Sequence, residues 1–565
     1  MFFREFRDSI QRCGGFSSYF SMWLRSSWIF QPFWYIMQTL PWIRDRTNQL
    51  NISLAVKKFG SIVPRVPSLS LRHDYPCLGD VYDESRSIYS RVLPRNKKYT
   101  DSLPPVESVA SLFMRDGIIP ETNCNLTVLI AYYAQWVTHQ FFNTDESDPT
   151  GHSVKQPVGV NMSMLYGSKQ EVEKSVRAYK GGLLKSTIKN GQEFPEIMPC
   201  QEGSRIPGKE MFNMPILIAN MIPGFAAIHV LFFRRHQYIC RELAKWAEAQ
   251  GKNIDDEELF QKAKLIVTVN MLRITMHDYV SRALQSSHAK MRFDQKVKQS
   301  RIWKMFGPDY FPPSNAIQFE FNIFYRWHQF YPDTTKIMKR IPLNSRSQLK
   351  SLKAEIDRYD TDDLKFPKSK QQLDEKWNAV RWIADEPDGM ERVLFSASSQ
   401  RAGKLSLLNT NQWIVEHVVK PGLARCREHQ LASYNDYREK VGFPRLTTFE
   451  QVTSNPALLE KLKRVYRNVD QIEYYPGVFA EDKHFGNVHG PLAGTFGSSM
   501  TFTGIFSSRL FETALDENAL TPRGVELAGE IDHLDDMTRK HTRLGEARIR
   551  FTMPDDAPVP KEKSV

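Results

Sequence analysis

The sequence predicts a mainly α-helical protein, one large helical domain preceded by an amphipathic N-terminal segment. Three observations carry this. Apolar residues recur at helical spacing through LTVLIAYYAQWVTHQFF, PGFAAIHVLFFRRHQYICRELAKWAEAQ and DDEELFQKAKLIVTVNMLRITMHDYVSRAL, all between about 126 and 300. Strand signals are few and short. No repeat or Gly/Ser linker divides the 565 residues, although length alone would suggest roughly four domains.

The totals narrow the function classes. The chain is 41% hydrophobic and 12% aromatic, with 35 Phe and 11 Trp, a supply suited to large cores or apolar cavities. The net charge of +12 comes with no zinc-finger spacing and no ribonucleoprotein aromatic signature, so nucleic-acid binding is not indicated. An anionic substrate or an anionic membrane surface suits the charge. The six cysteines (Cys13, Cys77, Cys124, Cys200, Cys240, Cys426) are too scattered for a zinc site or a disulfide scaffold. The start, MFFREFRDSIQRCGGF, is interrupted by charge and does not read as a secretory signal, which leaves a cytoplasmic or peripherally membrane-associated location.

In order along the chain, residues 1–56 are dense in aromatics but broken by Arg25, Pro32, Pro41 and Arg44. No apolar run approaches the ~20 residues of a spanning helix. Short amphipathic helices in one membrane leaflet would look like this, and so would an arm packed on the core; the Trp frequency leans toward membrane contact. Residues 57–125, rich in Pro and turn residues, read as an extended arm. Residues 126–545 form the main domain, and 546–565 a polar tail.

Two segments carry candidate chemistry. Gln135 and His139 lie four apart in YYAQWVTHQFF, hence on one helical face. Tyr325 and His328 lie three apart in FYRWHQFYPD and are expected to share a face too. Histidine is an axial ligand of haem iron in peroxidases, and a phenol held near such an oxidant can become a tyrosyl radical. Taken singly, each segment is better explained by a buried aromatic helix whose His and Tyr bond to neighbours.

Together the segments resemble the cyclooxygenases, the prostaglandin endoperoxide synthases of the animal haem peroxidase superfamily. YAQWVTHQFF is similar to that family's FAQHFTHQFF, and EFNIFYRWHQFYPD to its EFNTLYHWHPLLPD. YSRVLPR, SYNDYREKVGFPRL and DQIEYYPGVFAED have counterparts as well, so the likeness spans about residues 20 to 500. The resemblance implies a haem-peroxidase-like helical fold with one haem b per subunit. It implies His328 as the iron ligand, and His139 with Gln135 as the pair that deprotonates a hydroperoxide and assists O–O cleavage. It makes Tyr325 the radical tyrosine, Tyr279 its hydrogen-bond partner and Arg91 the arginine meeting the substrate carboxylate. It further implies arachidonate or a similar polyunsaturated fatty acid, molecular oxygen and a hydroperoxide activator as reactants, and a homodimer.

The chain also departs from that family. A Cys-dense epidermal-growth-factor-like module is absent, which suggests an algal, invertebrate or microbial branch. Gln140 follows His139 where many superfamily members place a calcium-binding Asp, so no calcium is expected. The tyrosine that pairs with the mouth arginine corresponds to Ser287, and the serine acetylated by aspirin falls near Gly497 and Ser498. The YRWH of residues 325–328 is similar to that of fungal linoleate diol synthases, and plant α-dioxygenases share the Tyr-x-x-His element. A fatty acid dioxygenase yielding linear hydroperoxides is therefore the alternative.

Overall fold

Helices follow the apolar periodicity along almost the whole computed structural model. It describes residues 2–60, 62, 87–116, 125–140, 142, 153–154, 162–200, 206–284, 290–308, 317–341, 356, 359–366, 375–506, 510, 515–545 and 549–553. Cys77, Cys124, Ser287 and the tail beyond 553 lie outside the described residues.

The N-terminal segment forms four helices: α1 (Phe2–Arg12), α2 (Phe16–Ser26), α3 (Gln31–Thr39) and α4 (Pro41–Gly60). It packs as an arm and also presents an apolar outer face. Cys13 is fully buried, Arg12 Nε stands 3.2 Å from Asp482, and Arg438 donates to the Gln11 carbonyl at 2.8 Å. Gly14 turns between α1 and α2 at φ +86, where a Cβ would lie 2.7 Å from the Phe443 ring, so only glycine fits. Asn48, Ile52, Val56 and Gly60, each four residues apart, form the buried stripe of α4. Asn48 clamps the Arg292 backbone, donating to its carbonyl at 3.1 Å and accepting from its N–H at 2.8 Å. On the other side Phe16 (69% exposed), Trp28 (78%), Tyr35 (70%) and Trp42 (71%) point outward. Among the described residues no helix is long and apolar enough to cross a membrane.

The core is built on α5 (Leu129–Thr138), α6 (Pro223–Ala249) and α7 (Asp256–Ile274). Helix α5 is apolar nearly all round and accordingly buried nearly all round. Gly224 lets α6 approach it closely: a Cβ there would fall 2.1 Å from the Tyr132 ring. One turn further along, Trp136 stacks on Phe232 at 4.1 Å. Burying such rings contributes about 1.5–3 kcal/mol each. Asp255 caps α7 by accepting from Glu258 N–H at 2.7 Å, and acidic Asp256, Glu257 and Glu258 suit the positive end of the helix. Beyond α7 the helix widens into a π-helical stretch, Thr275–Leu284, a distortion frequent at functional sites.

Helix α8 (Phe319–Phe324) and α9 (Pro491–Phe506) complete the frame, with α9 lying along α4. Among the described residues strands are confined to short antiparallel pairs, such as β1 (Ser186–Lys189) with β2 (Gln192–Pro195) and β3 (Thr334–Met338) with β4 (Thr361–Lys365). The four described cysteines, Cys13, Cys200, Cys240 and Cys426, are free thiols.

Candidate active site

The last turn of α5 brings Gln135 and His139 onto the one face of that helix that is not fully buried. His139 caps the helix, its N–H bonded to the Gln135 carbonyl at 3.1 Å, and its ring lies over Phe225 at 5.6 Å. Burial pulls the His139 pKa down to about 4, so the imidazole is neutral and able to accept a proton near pH 7. Gln135 Oε1 accepts a hydrogen bond from Tyr331 Oη at 2.6 Å, which ties α5 to the segment carrying His328.

Tyr325 and His328 do not share a helix, contrary to the spacing argument. Helix α8 ends at Phe324, Tyr325 caps it, and His328 opens a separate 3-10 turn, His328–Phe330. The break is stabilised by packing: Trp327 folds back to stack on Tyr325, ring centroids 4.2 Å apart, an approach closed to i and i+2 residues of an α-helix. Tyr279, from the π-helical stretch, donates from its Oη to Tyr325 Oη at 3.4 Å. Burial raises the Tyr325 pKa to about 12, so the phenol keeps its proton.

His328 faces the α5 side closely enough that His139 contributes to lowering its pKa; burial is the main cause, Arg326 adds, and the value falls to about 3. Its Nδ1 is buried without a hydrogen-bond partner. Sequence reasoning missed what anchors this segment. Buried Arg115 pairs with Asp333 at 2.5 Å and donates to the Tyr331 carbonyl and Asn409 Oδ1, both at 2.9 Å. Asp333 closes the FYRWHQFYPD motif, but its partner lies 218 residues earlier in the chain.

A cavity of about 480 Å³ leads from the N-terminal helices to Tyr325, within the usual range for ligand sites. Ser18, Met22 and Arg25 of α2, Ala55 and Lys58 of α4, and Ser498 of α9 line its outer length. Phe324, Tyr325, Trp327 and His489 form its inner end. Among the described residues no Asp or Glu lines it. Arg25 and Lys58 line the cavity at an exposed part of its wall; the protein around them lowers both pKa values, and Arg25 lowers that of Lys58 further. Arg25 makes no ion pair with a carboxylate among the described residues.

Arg91 is not brought to this cavity. Its guanidinium donates to the backbone carbonyls of His429, of Gln430 at 3.3 Å and of Leu93 at 3.3 Å. That is the pattern of a residue holding two chain segments together. The motif YSRVLPR is local, whereas the acceptors His429 and Gln430 come from a distant stretch.

The residues suit a haem. A neutral imidazole, His328, offers a lone pair, with a second neutral histidine and an amide on the facing helix. No cluster of three or more His, Cys, Asp or Glu suited to a bare metal ion occurs among the described residues. Comparison with known proteins agrees. The chain is 24% identical to prostaglandin G/H synthase 1 of Rattus norvegicus over 510 residues, covering 86% of this chain and 77% of that one. It is 23% identical to prostaglandin G/H synthase 2 of Gallus gallus over 496 residues, covering 85% and 74%. Among solved structures, a fatty acid α-dioxygenase of Oryza sativa superposes with a TM-score of 0.68 at 16% identity, covering 93% of this chain and 97% of that one. Peroxidase A of Dictyostelium discoideum gives 0.61 at 15% identity, covering 83% and 96%. The family model of the animal haem peroxidases matches residues 160–528, which include Tyr325 and His328, and the chain belongs to that family.

Proposed function

We propose that the chain is a haem-dependent fatty acid dioxygenase with a companion peroxidase activity, converting arachidonate or a similar polyunsaturated fatty acid to a prostaglandin endoperoxide. The observation that carries this is the Tyr325 phenol, hydrogen-bonded by Tyr279 at the inner end of a cavity whose outer length carries Arg25 and Lys58. His328 would hold haem b, and the chemistry such a group would supply, when bound, is one-electron oxidation of the Tyr325 phenol. The protein's own groups do the rest. His139, neutral near pH 7, takes the proton of a hydroperoxide, and Gln135 beside it orients that molecule. The Tyr325 radical takes a bis-allylic hydrogen atom, becoming a phenol again and leaving a carbon radical. Oxygen adds to that carbon, the peroxyl so formed adds to a double bond of the same chain, the new carbon radical closes the ring on another double bond, a second oxygen adds, and the final peroxyl takes its hydrogen back from Tyr325.

In this reading Arg25 and Lys58 hold the substrate carboxylate, in place of Arg91. Two cations of like charge on one cavity wall repel each other, and an anion between them relieves the repulsion. The contact would be charge-assisted at both residues. Carboxylate at the outer end leaves the far part of the chain, not the carbon next to the carboxylate, beside Tyr325. The exposed aromatics of α2 to α4 suit peripheral docking to a lipid surface from which the substrate enters.

A second reading, a dioxygenase giving linear hydroperoxides, is favoured by the placement of Arg91 away from the cavity, which removes one of the residues carried over from the cyclooxygenases. Oxygen uptake by haemin-reconstituted protein with arachidonate, with products identified by mass spectrometry, separates the readings. Bicyclic endoperoxide or its descendants establishes the first, and linear mid-chain hydroperoxides alone the second. A chain-shortened aldehyde or a 2-hydroperoxide would refute the carboxylate-out orientation, and absence of uptake with haem bound would refute both readings.

A further inference from the structure

We propose that His489 is a specificity-determining residue that hydrogen-bonds an oxygen substituent carried by the acyl chain at the inner end of the cavity. The inference rests on the fatty acid reading above and adds to it a polar subsite beside the reacting carbon.

His489 is out of place by composition. Its neighbours at the inner end are the rings of Trp327, centroids 4.7 Å away, and Phe324, 5.2 Å away. Trp327 in turn covers Tyr325. Nδ1 of His489 is buried without a hydrogen-bond partner, and no described residue bonds to Nε2. A buried polar group left unpaired costs about 1–3 kcal/mol, so packing alone would favour a leucine or phenylalanine here. The half-buried ring lines the cavity, and what it leaves open faces ligand space.

The side chain is also fixed in place. Gly490 follows it in a gap where a Cβ would fall 2.2 Å from Glu481 Cβ. Glu481, itself buried, accepts from the Leu492 N–H at 3.0 Å and the Ala493 N–H at 3.3 Å and so pins the start of α9. Burial holds the imidazole neutral, its pKa drawn down to about 3. A neutral imidazole offers one donor and one acceptor and no charge. It therefore suits a hydroxyl or hydroperoxyl group better than a carboxylate, which the two cations at the other end serve. The hydroxyls of Thr495 and Ser498 also line the cavity, but on a helix they can bond back to the carbonyl four residues earlier. The imidazole has no such internal acceptor.

A binding experiment tests this without turnover. Haem-reconstituted protein is titrated with stearate and with a series of hydroxystearates differing in hydroxyl position. At one position, or two adjacent ones, binding is expected to be roughly fivefold tighter than for its neighbours in the series. His489→Phe should abolish that preference while leaving stearate affinity within about twofold, and His489→Asn should restore part of it. A series with no preferred position, or a preference that survives in His489→Phe, overturns the proposal. Stearate itself is the control on the underlying reading: if it fails to bind, the fatty acid function falls and this inference with it. A preference confined to 2-hydroxystearate would support His489 as the polar contact while refuting the carboxylate-out orientation, so the two failures are distinct.

Discussion

Trp327 lies nearly parallel to Tyr325, two residues before it, with 22° between the ring planes and 4.2 Å between centroids. This stack does three things at once. It ends α8, it aims the phenol into the cavity, and it sends His328 off in another direction. Removing it should separate the two activities. Trp327→Leu is expected to lower oxygenation about tenfold, through loss of Tyr325 orientation, while peroxidase turnover falls by less than about twofold. Tyr325→Phe should abolish oxygenation and the tyrosyl electron paramagnetic resonance signal and spare peroxidase turnover. His328→Ala should lose the haem Soret band.

Arg25, Lys58 and Arg91 make a three-way comparison. Arg25→Gln and Lys58→Gln should each raise KM for a fatty acid about tenfold or more with little change in kcat, since each removes a charge-assisted contact far from the reacting carbon. Arg91→Gln should instead lower the melting temperature and leave KM nearly unchanged, because its bonds go to main-chain carbonyls. A KM effect confined to Arg91→Gln would reverse the assignment.

How much of this could be read from the sequence depends on how local each feature is. The apolar period of LIAYYAQWVT predicts α5, and with it the shared face of Gln135 and His139, because both are properties of one helix. Tyr325 and His328 have equally helical spacing, but Trp327 decides the backbone there through a stack that spacing does not encode. Arg25 looks in sequence like an interruption of an apolar stretch. It becomes a cavity residue only when α2 and α4, whose contributions to the wall are some 30 residues apart, come together. Arg91 shows the converse: a matching motif fixes the residue type but not where its guanidinium finds acceptors.

Gly497 gives a steric test. A Cβ there would meet Phe324 Cζ at 2.6 Å, and Phe324 packs edge-on against both Tyr325 (5.4 Å) and Trp327 (5.3 Å). Gly497→Ala should therefore displace the ring behind Tyr325 and cost roughly tenfold or more in oxygenation, with haem binding retained. Gly504→Ala, in the same helix with open space around the position, is the control.

Acid sensitivity should be traceable to buried histidines. His229 is 1% exposed with Nδ1 unpartnered, and burial draws its pKa down to about 3. Its unfolded counterpart titrates near 6.5. Below pH 6.5 the unfolded chain takes up a proton the folded one refuses, so the stability tied to the neutral form is lost progressively down to about pH 3. Buried Glu320 and Glu481, with raised pKa values, act in the opposite sense, so the difference between variants is the clean measurement. His229→Leu should stabilise by about 1–3 kcal/mol at neutral pH and by more at pH 5, seen as a flatter dependence of melting temperature on pH.

The outward aromatics predict lipid affinity. Replacing Trp28 and Trp42 together with Ser should weaken co-sedimentation with anionic vesicles about tenfold, with the haem spectrum unchanged.

One consequence of the Gly14 turn concerns who owns the cavity. Much of the outer wall is lent to the domain that carries Tyr325 and His328 by α2 and α4, and Gly14 and Gly15 set α2 against that domain by turning the chain after α1. A protease cutting between α2 and α4 would leave every catalytic side chain in place and yet unroof the tunnel, admitting water to a radical that needs dryness. Loss of oxygenation with intact peroxidase turnover would then be the signature of damage to the first sixty residues, not of damage to the chemistry.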